Sequence, residues 1–165
     1  MNIFYLHRDP KKAARYQYNK HVVKMILESA QMLCTAHHHY AEQCGYDNSY
    51  IPYKKAHYNH PSTKWVRENT THYNWLWIHM IALGDEYTRR YGKQHLSIKK
   101  LYSHNIWWTP KGMPDGAFEQ PPQAMPDQYK DSCSIKAYWN YYIGEKHIVA
   151  NKNERIYKEA PMSIS

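Results

Sequence analysis

HVVKMILESAQMLC, residues 21–34, carries the pattern from which the rest of the chain can be read. Val23, Ile26, Leu27, Ala30, Leu33 and Cys34 recur at steps of three and four, which is the period of an amphipathic helix and not the alternation of a strand. The pattern extends in both directions. Asp9 followed by Pro10 reads as an N-cap with proline in the first turn, and Gly45 offers a C-terminal stop. Residues 10–43 are therefore expected to be helical, with a kink near Tyr18 and Asn19, preceded by a short apolar entry, NIFYL, at residues 2–6.

Past Gly45, residues 46–60 carry Pro52 and several turn formers and read as a loop. Pro61 can restart a helix, giving a short helical segment over 61–69 and a longer one over 71–91, where Leu76, Met80, Leu83 and Tyr87 share a face and Gly92 ends the run. A further short helix is expected over 94–105. Residues 107–128 hold Pro110, Pro114, Pro121, Pro122 and Pro126, so they cannot be regular structure and form a long ordered loop or a flexible flap. A last helix over 133–147 brings Ile135, Trp139, Tyr142 and Ile143 to one face, and residues 150–165 read as a polar, flexible tail. The expected fold is all-α, a single compact multi-helix domain over residues 1–165 with a long proline-rich loop.

Composition narrows the partners. The formal charge of +8 favours an anionic one, DNA or a nucleotide, although a merely soluble basic surface would give the same excess. The aromatic content is 17 Tyr and 6 Trp against 2 Phe, residues that pair an apolar face with a polar tip and can stack on bases. Cys34, Cys44 and Cys133 are odd in number and lack a CxxC spacing, which argues against a disulfide framework or a zinc knuckle. No apolar run approaches the roughly 20 residues needed to span a bilayer, and MNIFYLHRDP lacks the apolar stretch of a signal peptide. The expectation is a cytoplasmic protein with no membrane partner; nothing in the sequence bears on its oligomeric state.

His21, Lys24, Glu28 and Gln31 lie three, four and three residues apart, in one row opposite the apolar face. Lys24 and Glu28 could be a plain surface ion pair. If the row lines a groove, Glu28 can serve as acid or base and Lys24 as a phosphate contact or nucleophile. His37, His38 and His39 suggest a metal, but successive helical residues point about 100° apart and cannot all reach one ion, and no HExxH or comparable spacing occurs. Asn59, His60 and Pro61, followed by Trp65 and Arg67, place polar groups at a helix start suited to an anion, or form an ordinary cap with a packing Trp. Arg89, Arg90, Lys93 and His95 form a basic cluster at a helix C-terminus, for phosphate or merely solvated. The tract PPQAMPDQY, residues 121–129, could cover a substrate with Tyr129 near the groove, while Tyr138 or Tyr141 is available for stacking. No phosphate-binding glycine loop, nucleophile elbow or paired-carboxylate motif is present, and no cofactor is implied.

Three of these segments, VVKMILESAQML (22–33), NHPSTKW (59–65) and EYTRRYGKQH (86–95), resemble in order the pyrimidine dimer DNA glycosylase family, the endonuclease V type found in tailed phages and bacteria, and in particular its small phage members. The resemblance covers roughly residues 14–95. It implies an all-helical DNA glycosylase with a linked lyase step, in which an amine attacks the sugar C1′, forms a Schiff base, and is assisted by a glutamate at the position of Glu28. It further implies that Asn59, His60 and Trp65 help hold DNA and that a nucleotide is extruded from the duplex. The family uses the α-amine of a small residue exposed by methionine removal. Here Met1 precedes Asn2, a residue large enough for Met1 to be retained, so the amine is that of Met1 or of Lys24. Two other readings remain at this point: a non-catalytic phage protein that binds nucleotides or nucleic acid in anti-defence or host takeover, and an enzyme acting on modified bases.

Overall fold

The computed structural model describes residues 1–149, which form six α-helices and no strands: α1 (Pro10–Arg15), α2 (Asn19–Cys44), α3 (Pro61–Val66), α4 (Thr70–Tyr91), α5 (Leu96–Ser103) and α6 (Ser134–Gly144). The expected tail over 150–165 lies outside the described residues. Asp9 Oδ1 accepts the Lys11 N–H at 2.9 Å and Pro10 opens α1, as the Asp-Pro pair indicates. The single helix expected over 10–43 is two, because Tyr18 leaves helical geometry at φ −59°, ψ 153°. Arg90 of α4 holds this junction, donating to the carbonyls of Arg15 and Gln17 and to Asn19 Oδ1. α2 ends at Gly45 and α4 at Gly92, both at φ 72°, the left-handed C-terminal stop expected of glycine.

α2 is the central element, with α3, α4 and α5 packed on it and α1 packed on α4. Every residue from Met32 to His37 is buried, so this half of α2 is covered all round and not along one stripe. Val23 and Leu27, which belong to the apolar pattern, sit at its edge and are 37% and 39% exposed. On α4, Leu76, Met80 and Leu83 are fully buried on the expected face. α6 departs from expectation: Ile143 is exposed, and Tyr138, Trp139, Tyr141 and Tyr142 are buried. Burying the polar tips is possible because partners lie nearby. Trp139 Nε1 donates to Leu6 O, and the Tyr138 hydroxyl donates to Pro122 O.

The proline-rich segment is an ordered strap across one side of the bundle. The Thr70 N–H donates to Pro114 O, Asn69 Nδ2 to Ala117 O, Thr71 Oγ1 to Gly116 O and Trp65 Nε1 to Glu119 O. His72 closes the seam, with Nε2 accepting the Glu119 N–H and Nδ1 bonded to Trp65 O. Prolines suit a strap because they have no N–H to satisfy and leave their carbonyls for the neighbouring helices.

Candidate active site

The N-terminal segment runs through the core, where Ile3, Phe4, Tyr5 and Leu6 are all buried. It emerges at a cavity of about 560 Å³ bordered by α2, the start of α3, the strap and α6. On one wall the Met1 nitrogen lies 3.1 Å from Glu28 Oε1. Glu28 Oε2 is buried and has no hydrogen-bond partner. At the edge of this cavity the second carboxylate oxygen is available to water, to a ligand or to a transferred proton.

Asn2 makes the terminus turn toward Glu28. Its Oδ1 accepts the N–H groups of Ile3 at 2.7 Å and Phe4 at 2.9 Å, and its Nδ2 donates to Ala124 O of the strap at 2.9 Å. Phe4 sits at φ 55°, the left-handed region, which costs about 1–2 kcal/mol for a residue with a side chain. That strain is held by packing, since the Phe4 ring stacks on His21 with centroids 4.2 Å apart and planes 12° apart. His21 Nδ1 is 2.6 Å from the Tyr142 hydroxyl, which also accepts the Tyr18 N–H. Burial, reinforced by the positive charges of Lys146 and Lys24, pushes the His21 pKa down to about 3, so its ring is neutral at physiological pH. His21 lines the cavity as a flat aromatic wall.

His60 borders the same cavity. Its Nδ1 accepts the Ser62 N–H at 3.0 Å and caps α3, which leaves the N–H on Nε2. Burial lowers its pKa, and the Met1 amine and His57 lower it further while Glu28 opposes them. Lys20, Lys24 and Lys146 ring the mouth, and Lys146 Nζ lies 5.0 Å from the centre of the Tyr141 ring. A floor of neutral aromatics, one carboxylate and one amine thus opens through a basic rim, an arrangement that draws in an anionic ligand and puts its reactive part beside an amine–carboxylate pair.

Glu28, Met1, Lys24, His21 and His60 are brought together here. Gln31 is half-buried and is not part of the cavity lining, and Asn59 is exposed beside His60. Trp65 is 5% exposed, stacked on His72 at 4.2 Å, so it belongs to the core. Arg67 donates to Tyr58 O at 2.7 Å and lies over the Tyr58 ring. Arg89 and Arg90 both pair with Glu86, and His95 caps α5 by accepting the Ser97 N–H. Lys93 is exposed. Tyr129 packs on Tyr141 at 5.4 Å, behind the cavity wall. The sequence pattern did not single out Asn2, Phe4, Ala124 or Lys146. Asn at position 2, ahead of an apolar run, was the one local signal, as a side chain able to cap its own turn. His37, His38 and His39 reach separate partners: His37 the Tyr50 and Tyr73 hydroxyls, His38 the Tyr53 carbonyl and His39 the Tyr58 hydroxyl.

Fold and site together define a basic all-helical protein in which a chain-terminal amine and a half-buried carboxylate share one cavity. The family model described as pyrimidine dimer DNA glycosylase matches residues 1–100, a stretch that carries Met1, Asn2, Phe4, His21, Lys24, Glu28 and His60. The chain belongs to that family, a family of DNA glycosylases that act in DNA repair and take DNA as substrate. No curated protein and no solved structure matches the chain. Among the described residues no helix is long and apolar enough to cross a membrane.

Proposed function

We propose that the protein is a DNA glycosylase with a linked lyase step, acting on damaged or modified pyrimidines, in which the Met1 α-amine is the nucleophile and Glu28 its proton acceptor. The observation that carries this reading is the 3.1 Å contact between the Met1 nitrogen and Glu28 Oε1, with Oε2 left unpaired. The ammonium gives a proton to Glu28, and the neutral nitrogen attacks C1′ of an extruded nucleotide. The glycosidic C1′–N bond breaks and the base leaves with a proton. The bound nitrogen loses a proton, its lone pair displaces O4′ from C1′, O4′ leaves as a hydroxyl by taking that proton, and a protonated Schiff base remains. Removal of a C2′ proton then expels the 3′-phosphate, and water adds at C1′ to release the unsaturated aldehyde and the free amine. Lys20, Lys24 and Lys146 hold the flanking phosphates, and neutral His21 and Phe4 form a wall against which the extruded unit packs. The resemblance to tailed-phage members supports action in the cytoplasm of an infected cell.

Borohydride reduction in the presence of a duplex carrying an abasic site or a pyrimidine dimer tests this. The expected result is a covalent adduct that peptide mapping places on Met1 and that persists in Lys24→Ala. An adduct on Lys24 moves the nucleophile, and intact binding without any adduct removes the lyase chemistry and favours a non-catalytic DNA binder.

A further inference from the structure

We propose that Asn2 is a positioning residue of this site: its side chain folds the first residues into a hook that aims the Met1 amine at Glu28 and ties the hook to the strap. The amine's chemical role rests on the reading above; the placement of the amine rests on geometry alone.

Chain termini are ordinarily among the least ordered parts of a domain, and one ion pair fixes the amine at a single point while leaving the path of the chain behind it open. Here the side-chain hydrogen bonds of Asn2 fix the backbone from Asn2 to Phe4, so only the Asn2 N–Cα bond and the bonds of Met1 itself lie between that turn and the amine. Asn2 Oδ1 accepts two successive backbone N–H groups, from Ile3 and Phe4, the pattern by which Asn builds a turn from its own side chain. The chain then reverses through Phe4 at φ 55°, and the Leu6 N–H donates to Phe4 O at 2.9 Å. The turn is anchored at its far side, because Asn2 Nδ2 donates to Ala124 O, and the Ala124 N–H in turn donates to the Tyr138 hydroxyl of α6 at 3.3 Å. These hydrogen bonds of the Asn2 side chain are all internal to the protein. Its hold on the amine runs through the backbone of Met1.

Near-attack geometry is demanding, since a misplacement of about 1 Å can cost about 100-fold in rate. Asn2→Leu keeps the volume and removes the turn; Asn2→Asp keeps both acceptor bonds and removes the anchor. Both side chains are large enough to leave Met1 in place, which intact mass verifies. In single-turnover trapping on abasic duplex, the saturating rate of Asn2→Leu is expected to fall about 30- to 100-fold, with the half-saturating protein concentration changed by less than about threefold. Asn2→Asp is expected to recover most of that rate. A saturating rate in Asn2→Leu within about threefold of the parent overturns the proposal, as does a loss in Asn2→Asp equal to that in Asn2→Leu.

A second measurement needs no DNA. Reductive methylation of the Met1 amine with formaldehyde and cyanoborohydride, read by mass spectrometry, is compared with and without Glu28→Gln in the parent and in Asn2→Leu. Glu28→Gln is expected to change the rate several-fold in the parent and not in Asn2→Leu, where the amine no longer sits on the carboxylate. Equal effects in both backgrounds, including no effect in either, overturn the proposal. Should Asn2→Leu not fold, Asn2→Gln replaces it, since its amide is carried one methylene too far for the turn. A parent that yields no trapped adduct overturns the glycosylase–lyase reading, while the methylation comparison still decides for or against Asn2.

Discussion

Glu28 has to do two things in the proposed reaction, hold the Met1 amine and take its proton, and a glutamine can do only the first. Glu28→Gln is therefore expected to lower strand cleavage by about 10²- to 10⁴-fold, the usual worth of a positioned base, while DNA affinity by fluorescence anisotropy stays close to the parent. Unchanged cleavage moves the active site elsewhere. Glu28 was legible in the sequence as a carboxylate within a basic row, and the resemblance set it above its neighbours. Its partner was not. The i,i+4 spacing suggests Lys24, but Lys24 lines the cavity mouth and the Met1 amine takes the carboxylate. Helical spacing reports neighbours along one helix; it carries no information about a chain end arriving from outside it.

At the scale of elements, caps and stops were readable because they are local. Asp9–Pro10, Gly45 and Gly92 stand where the helices begin and end. The exposed side of α6 was not readable, because its buried face follows the strap and the N-terminal segment that pack on it. Asn69 links the two kinds of information: its Oδ1 accepts the His72 N–H as the N-cap of α4, and its Nδ2 donates to Ala117 O of the strap. Asn69→Ala removes both bonds and is expected to destabilise the fold by about 1–3 kcal/mol. That corresponds to a drop in Tm of about 2–12 °C for a chain of this size. A melt within about 1 °C of the parent would show that the strap is held by its other bonds.

For the molecule as a whole, two bulk properties follow from where charge and burial ended up. Of the basic residues the sequence offered, Arg67 and Arg90 hold the fold and Lys24 borders the cavity, where Lys20 and Lys146, which the sequence did not single out, join it. Replacing these three lysines by Gln is expected to reduce the slope of log affinity against log salt for duplex DNA by about 2–3, near 0.9 for each phosphate no longer neutralised. An unchanged slope places the DNA on another face. Acid should also unfold the protein early. Burial lowers the pKa of His21 to about 3 and of His37 and His79 to about 4, all below their ordinary value of 6.5. The unfolded chain therefore takes up protons first as the pH falls below about 6.5, and the stability these neutral rings contribute is lost between there and about 4. With three such groups the slope reaches ~4 kcal/mol per pH unit. Urea midpoints at pH 7, 6 and 5 are expected to fall steeply, and a flat series would mean that the rings stay charged or exposed.

Periodicity, the placement of proline and glycine, and charge are enough to establish the helical class, those helix ends marked by Asp9–Pro10, Gly45 and Gly92, the basic character and, through three short segments in order, the family. All of these depend on side chains a few positions apart and act within one or two turns. The meeting of Met1 with Glu28, the arrival of Ala124 and Lys146 at the same cavity, and the places of Trp65 in the core and Arg90 at the α1–α2 junction emerge only once the helices pack. The pattern of a helix says which face must be covered, and not what will cover it. A polar group's role is settled by whichever partner reaches it first.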